Sequence, residues 1–380
     1  MLTAILIRLA VFGATALHPI VADNGRLISP RIVGSGDVVF YQMWENWMFR
    51  GGASDPNQRM PKGMMVAGPV FPSLIYLFKY ENGNSWPLAI LYLLGGVGLC
   101  VAWLYWLYRQ GFSTIGLIIF ALLPHAIYYM IRVTTELPFS IFLTGFIFCY
   151  FNDRWTRTQL YTWIVMLLLL LATRPNGLSV LGFVTCDLLF RSRNGMGWKL
   201  ALALLACIAA GLVFGRYFYT YFMTAYAVAL PTTFFGVTTS NYIHGIFPVL
   251  PTWLNHGVSL LVLIIAKLLY LLGLRPSYSN VWGGYVLLRA LPGVLFLIGL
   301  VYALAKGEFR YRLFLTFFIL PFLLVTSEDR YAVPIQPLLF LFFAKAISGF
   351  LPLALRLTVH RRLASKTDDL PDVDDAFSST

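Results

Sequence analysis

Apolar residues fill this chain in long blocks separated by short polar breaks. Neither the alternation of a half-buried strand nor the single stripe of a surface helix describes them. Blocks near 3–22, 86–107, 113–131, 137–151, 158–173, 176–190, 198–222, 284–305, 311–326 and 331–350 read as membrane helices. A helix needs about 20 mostly apolar residues to cross a bilayer. Two further runs behave differently. The run 64–79 is short and broken by Pro69 and Pro72, and 256–274 is long enough but carries Lys267 near its middle.

Positive charge decides between the topologies that these blocks allow. With the N-terminus inside and neither irregular run crossing, the inner loops hold Arg109, Arg154, Arg157, Arg191, Arg193 and Lys199. Lys306, Arg310 and Arg312 join them, as do Arg356, Arg361, Arg362 and Lys366 after the last block. If both runs cross, the three middle loops flip outside and the bias is lost, so the positive-inside rule favours ten spans. Runs 64–79 and 256–274 then lie on or dip into the outer face. Ala14-Thr15-Ala16 resembles a signal-peptidase site, but Arg8 is the only base before it, so an uncleaved first helix is expected.

The expected fold is therefore all-α, a polytopic transmembrane helical bundle of about 10–12 helices with interfacial helices on its outer face. One domain covers 1–355, with large outer segments at 23–85 and 223–283. Residues 356–380 form a cytoplasmic basic segment and an acidic tail, "SKTDDLPDVDDAFSST", that lacks any apolar period and is expected to be disordered.

Composition agrees. Charged residues make up 12% of the chain and mean hydropathy is +0.74, where a soluble domain carries about 25% charge. The formal charge is +12, and five of the 16 acids fall in the last 13 residues, leaving 11 acids against 28 bases before them. That excess suits inner loops and anionic headgroups. No basic tract is dense enough for nucleic acid. The four cysteines, Cys100, Cys149, Cys186 and Cys207, lie inside apolar blocks without metal or disulfide spacing. There is no P-loop, which argues against an ATP-driven pump.

Four polar clusters interrupt the blocks, all on the outer face of this topology. The first is "SGDVVFYQMWENWMFRGG", residues 35–52. A helix starting near Asp37 puts Phe40, Trp44, Trp47 and Met48 on one face and Gln42, Glu45, Asn46 and Arg50 on the other. Such a helix lies at headgroup depth. Asp37 at its start could take a proton from a hydroxyl brought to the bilayer edge, or simply cap the helix. Tyr41 in this stretch is a substrate-binding candidate. The second cluster, "IRVTTELPFSIF", places Arg132 and Glu136 at a helix mouth, with Thr134 or Thr135 available as a cap. The third, "LATRPNGLSVL", adds Arg174 and Asn176 to what would otherwise be a plain Pro-Asn-Gly turn. The fourth, "TSEDRYAVPIQP", supplies Asp329, Arg330 and Tyr331. Arg59 and Lys62, between the first cluster and the 64–79 run, are further anion-binding candidates. His18 and His125 read as packing residues. The set combines an early acid, several bases and aromatic platforms.

At these residues the chain resembles the GT-C superfamily of integral-membrane glycosyltransferases. The likeness lies in layout: "GSGDVVFYQMW" in a large first outer loop, then "GPVFPSLIYLF", "LYRQGF", "TTELPFSIF", "TRPNGL" and "EDRYAVPIQPLLFLF", over most of 1–350. The resemblance implies transfer of a sugar from a polyprenyl-phosphate-linked donor to a hydroxyl on a lipid, glycan or protein acceptor. It implies inversion at the anomeric carbon and work on the outer or lumenal face, most simply of a bacterial inner membrane. Asp37 would match the family's first-loop Asp and Glu136 the acid at the later helix start. Arg59, Lys62, Arg174 and Arg330 would be candidates for the donor phosphate. The family often has a second acid directly after the Asp, where this chain has Val38. A divalent cation is thus left open and no other cofactor is implied. A glycan polymerase or ligase, with 223–283 as its long outer loop, and a lipid-linked-sugar transporter are the competing readings.

Overall fold

The computed structural model describes residues 2–17, 20–21, 27–28, 45–46, 48–49, 68–79, 85–124, 127, 134–152, 155–174, 176–191, 233–234, 237–274, 283–324 and 329–350. Helix dominates. The helices are α1 (Leu2–Leu17), α2 (Val70–Leu77), α3 (Trp86–Arg109), α4 (Thr114–Ala121), α5 (Glu136–Tyr150) and α6 (Arg157–Thr173). Then come α7 (Gly177–Arg191), α8 (Thr239–His244), α9 (Thr252–Leu271), α10 (Gly283–Lys306) and α11 (Phe309–Leu324). A 3-10 turn, Asp329–Ile335, leads into α12 (Gln336–Phe350). Two short antiparallel pairs, Ile20–Val21 with Leu27–Ile28 and Thr233–Phe234 with Val237–Thr238, are the strands among the described residues.

Local chemistry sets several helix starts. Ser85 caps α3 by accepting from the Leu88 N–H, and Ser113 caps α4 by accepting from Gly116. Thr156 and Gln159 form a reciprocal capping box at α6. Each side chain satisfies a backbone donor that the helix itself cannot. The expected threonine cap of α5 is not made: Thr135 occupies the N-cap position, and its side chain makes no capping bond to the helix. Pro138 is tolerated there because the first turn has no donor to lose.

Among the described residues, three helical stretches are long and apolar enough to cross a membrane: Trp86–Arg109, Thr252–Leu271 and Arg330–Ser348. Large apolar side chains stay exposed along the helices, among them Leu94, Leu168, Leu291 and Val301, at 57–63%. A soluble surface rarely carries so many on one set of helices. These features suggest a membrane protein. α2 has 8 residues, about 12 Å of helix, which is too short to cross. α9 is different: at 20 residues its length suffices, where charge bias had favoured a surface position. The backbone carbonyl of Leu272, just past the end of α9, packs on Gly293 in the first half of α10.

Pairwise contacts fix the relative directions. The Tyr92 hydroxyl donates to the Thr134 carbonyl, and Trp103 Nε1 donates to Thr144 Oγ1, both at 2.8 Å. α3 and α5 therefore run in the same direction. Arg174, after α6, meets Glu136 at the start of α5, so α6 runs back. Arg310, at the start of α11, meets Asp187 near the end of α7. Phe340 of α12 stacks on Phe112, beyond the end of α3. The bundle thus has a Glu136 end and an Asp187 end. α10 and α12 approach so closely that a Cβ on Gly299 would overlap the Leu339 carbonyl, the small-residue contact that lets membrane helices touch backbone to backbone.

Candidate functional site

At the Glu136 end, three separate segments bring charge into one buried cluster. Glu136 is the first residue of α5 and is 2% exposed. Arg174 leaves α6 in an extended conformation, φ −152° and ψ 149°, which turns its side chain out of the helix path. Its Nη1 donates to Glu136 Oε1 at 2.9 Å. Arg330, in the 3-10 turn, puts Nε 3.6 Å from the same oxygen. Two guanidinium groups beside one carboxylate hold it ionised. The three described side chains carry a net charge of about +1.

Tyr331 binds the cluster together. The Arg174 guanidinium lies 4.8 Å from its ring centroid and that of Arg330 lies 5.2 Å away. Arg330 Nη2 is 3.4 Å from the Tyr331 hydroxyl, and Phe322 stacks on the ring at 5.1 Å. Cation–π contacts of this kind are worth about 0.5–2 kcal/mol each, more when water is excluded. Glu136 Oε2 is buried without a hydrogen bond of full geometry, although the Thr134 hydroxyl and the Glu136 backbone N–H lie beside the carboxylate. A buried acceptor left open costs about 1–3 kcal/mol or more, so this oxygen is where a ligand hydroxyl would gain most.

The turn around Arg174 is tightly built. Asn176 is buried, and its carbonyl accepts from the Ser179 N–H at 3.1 Å. The Gly68 N–H donates to the Thr173 carbonyl at 2.9 Å, and a Cβ on Gly68 would overlap the Ala172 carbonyl. Only glycine lets this strand of chain cross the end of α6 so closely. The segments "GPVFPSLIYLF", "TTELPFSIF", "TRPNGL" and "EDRYAVPIQPLLFLF" therefore gather at one end of the bundle.

The sequence candidates divide accordingly. Glu136, Arg174, Arg330 and Tyr331 come together, with Asn176 in the adjoining turn. Asp37, Tyr41, Arg59, Lys62 and Arg132 lie outside the described residues, as does the Asp329 side chain. Of the amphipathic stretch, Met48 packs on the core and Phe49 stacks on Tyr76 at 4.6 Å. Glu45 departs from expectation. Placed on the water face by periodicity, it is 2% exposed.

A second acid–arginine cluster went unmarked in the sequence. At the other end of α5, the Tyr150 hydroxyl donates to Asp187 Oδ2 at 2.8 Å. Arg310 Nε lies 3.5 Å from the same oxygen, and its Nη2 and Nη1 donate to the carbonyls of Tyr150 and Phe151 at 2.9 and 3.3 Å. The available signal was a lone Asp inside the apolar block 176–190, since an acid in such a block needs a partner. Among the described residues no three His, Cys, Asp or Glu side chains gather as a metal site would require.

No family model, curated protein or solved structure matches this chain.

Proposed function

We propose that the protein is a polytopic membrane glycosyltransferase, with about 10–12 helices and its site at the Glu136 end, facing the exterior of a bacterial inner membrane. It takes a sugar from a polyprenyl-phosphate-linked donor and passes it to a hydroxyl acceptor. The observation that carries this reading is the convergence of Arg174, Arg330, Tyr331 and Glu136 in one buried cluster where a carboxylate oxygen lacks a hydrogen bond of full geometry.

The chemistry follows from the charges. The acceptor oxygen attacks the anomeric carbon as the bond to the donor phosphate breaks. Negative charge grows on the departing polyprenyl phosphate. The guanidinium groups of Arg174 and Arg330 stabilise it in a site poor in water. The acceptor hydroxyl is a weak nucleophile and must lose its proton to a positioned carboxylate. In this reading Asp37 takes the proton. Glu136, already engaged by two arginines, orients a substrate hydroxyl through Oε2. Tyr331 offers a flat face to the sugar or the carrier.

The test uses protein in lipid nanodiscs with a panel of polyprenyl-phosphate sugars, following donor binding by native mass spectrometry and sugar loss with a membrane acceptor extract. Wild type should bind one donor and consume it. Asp37→Asn should bind it and fail to consume it. Equal turnover by both removes Asp37 from the chemistry. Binding without turnover by wild type favours a transporter, and no binding by either protein overturns the proposal.

A further inference from the structure

Away from the Glu136 end, a cavity of about 480 Å³ lies between α1, α3 and α4. Thr3, Tyr108 and Thr114 line its polar part, near the Asp187 end, and Ile7, Leu104 and Leu117 line its apolar part. Its volume falls in the range of small-molecule sites, about 300–1,000 Å³. Its rim carries exposed Tyr105, Tyr108, Ile118 and Leu122, so it opens sideways, where lipid chains would lie.

Arg8 sits against the wall of this cavity. It is fully buried, and its Nη1 donates to the carbonyls of Ala4 and Ala121 at 3.1 and 3.3 Å. Both alanines line the cavity. The side chain reaches back one turn toward the start of α1, as an arginine does when it seeks the membrane surface. Nε and Nη2 have no hydrogen-bond partner. Capping the end of α4 through Ala121 uses one nitrogen and leaves the charge uncompensated, which is costly in an apolar setting. A guanidinium with two free donors in a fork fits a phosphate oxygen pair.

We propose that this cavity holds one anionic phospholipid from the leaflet at the Asp187 end, its phosphate on Arg8 and its acyl chain along Ile7, Leu104 and Leu117. The phosphate is reached by rotation of the outer torsions of Arg8, past the small Ala4 and Ala121 side chains. Thr3, Tyr108 and Thr114 supply hydroxyls to the headgroup. The site is independent of the transferase reading and stands if that reading fails.

The experiment titrates delipidated protein with phosphatidylglycerol or phosphatidylcholine and counts retained lipids by native mass spectrometry. Wild type should keep one phosphatidylglycerol about tenfold more tightly than phosphatidylcholine. Arg8→Gln should abolish that preference, and Arg8→Lys should retain most of it. Ile118→Trp, which fills the groove without touching Arg8, should weaken retention of both lipids. If Arg8→Gln does not fold, the wild-type preference and the Ile118→Trp loss decide the matter. Equal retention of the two lipids by wild type, unchanged preference in folded Arg8→Gln, or no effect of Ile118→Trp overturns the proposal.

Discussion

The two ends of α5 carry the same kinds of residue in opposite states of completion. At the Tyr150 end, one described acid faces one described base, and of the Arg310 nitrogens only Nε, 3.5 Å from Asp187, lacks a hydrogen bond. Arg310 neutralises Asp187 and closes the last carbonyls of α5, while Tyr150 fills an oxygen of Asp187. At the Glu136 end, one acid faces two bases, and an acid oxygen is left without a hydrogen bond of full geometry. The first arrangement locks helices together. The second gathers two guanidinium groups and an aromatic face around one carboxylate, which suits the binding of an anionic ligand better than a lock does. Burial alone would not separate them, since Asp187 and Glu136 are 1% and 2% exposed.

The sharpest way to break this comparison is at the lock. Arg310→Ala removes the ion-pair partner of Asp187 and two N–H donors to the carbonyls that end α5. Breaking a buried pair in this way costs about 3–5 kcal/mol, read as a large fall in unfolding midpoint in detergent micelles. Donor affinity of the folded fraction should not change. A loss of affinity with stability intact would make the Asp187 end part of the site.

Glu136→Gln is expected to cost somewhat less stability, about 2–4 kcal/mol, because Tyr331 still screens the two arginines. Its effect on anions should have the opposite sign. With the carboxylate neutralised, Glu136 no longer competes with an anion for Arg174 and Arg330, and inorganic pyrophosphate should bind about tenfold more tightly. Turnover should fall. Isothermal titration of pyrophosphate checks this, and weaker binding would mean that Glu136 organises the arginines rather than competes for them.

How far the sequence foretold these two ends depends on what each residue's neighbours are. Glu136, Arg174, Arg330 and Tyr331 stand out because they sit at block boundaries, where polar residues outnumber what a turn requires. Their pairing is invisible there: Glu136 and Arg174 are 38 positions apart, and nothing local says that α6 returns to the start of α5. Ser85, Ser113 and Thr156 are legible because a cap acts within three residues. Asp187 and Arg8 were readable in principle, as single charges inside apolar blocks, but their partners are backbone carbonyls, a tyrosine, and an Arg310 that lies far along the chain and is paired with Asp187 only by the fold. Glu45 shows the opposite failure. Helical periodicity assigned it to water, and tertiary packing buried it. The length of α9 suits a span, and Lys267 within it is buried.

Within the Glu136 end, the two arginines should separate by exposure. The Arg330 side chain is 13% exposed and that of Arg174 is 7% exposed, with the shorter bond to Glu136. Arg330→Gln should therefore weaken donor binding about tenfold or more, the worth of a charged hydrogen bond, and cost less stability than Arg310→Ala, because Arg174 stays paired with Glu136 at 2.9 Å. Parallel donor titration and thermal unfolding measure both. A stability loss as large as that of Arg310→Ala would make this end a second lock.

The smallest effect is expected at Tyr331. Tyr331→Phe keeps the ring over which both guanidinium groups lie and gives up a hydroxyl 3.4 Å from Arg330. The cost should be about 0.5 kcal/mol or less, since the bond is long. Tyr331→Leu removes the π face and should cost about 1–2 kcal/mol. The difference between the two variants, read in one unfolding assay, isolates the ring's part in holding Arg174 and Arg330 together. Equal losses would assign that part to the hydroxyl, and with it a donor or acceptor role toward the ligand.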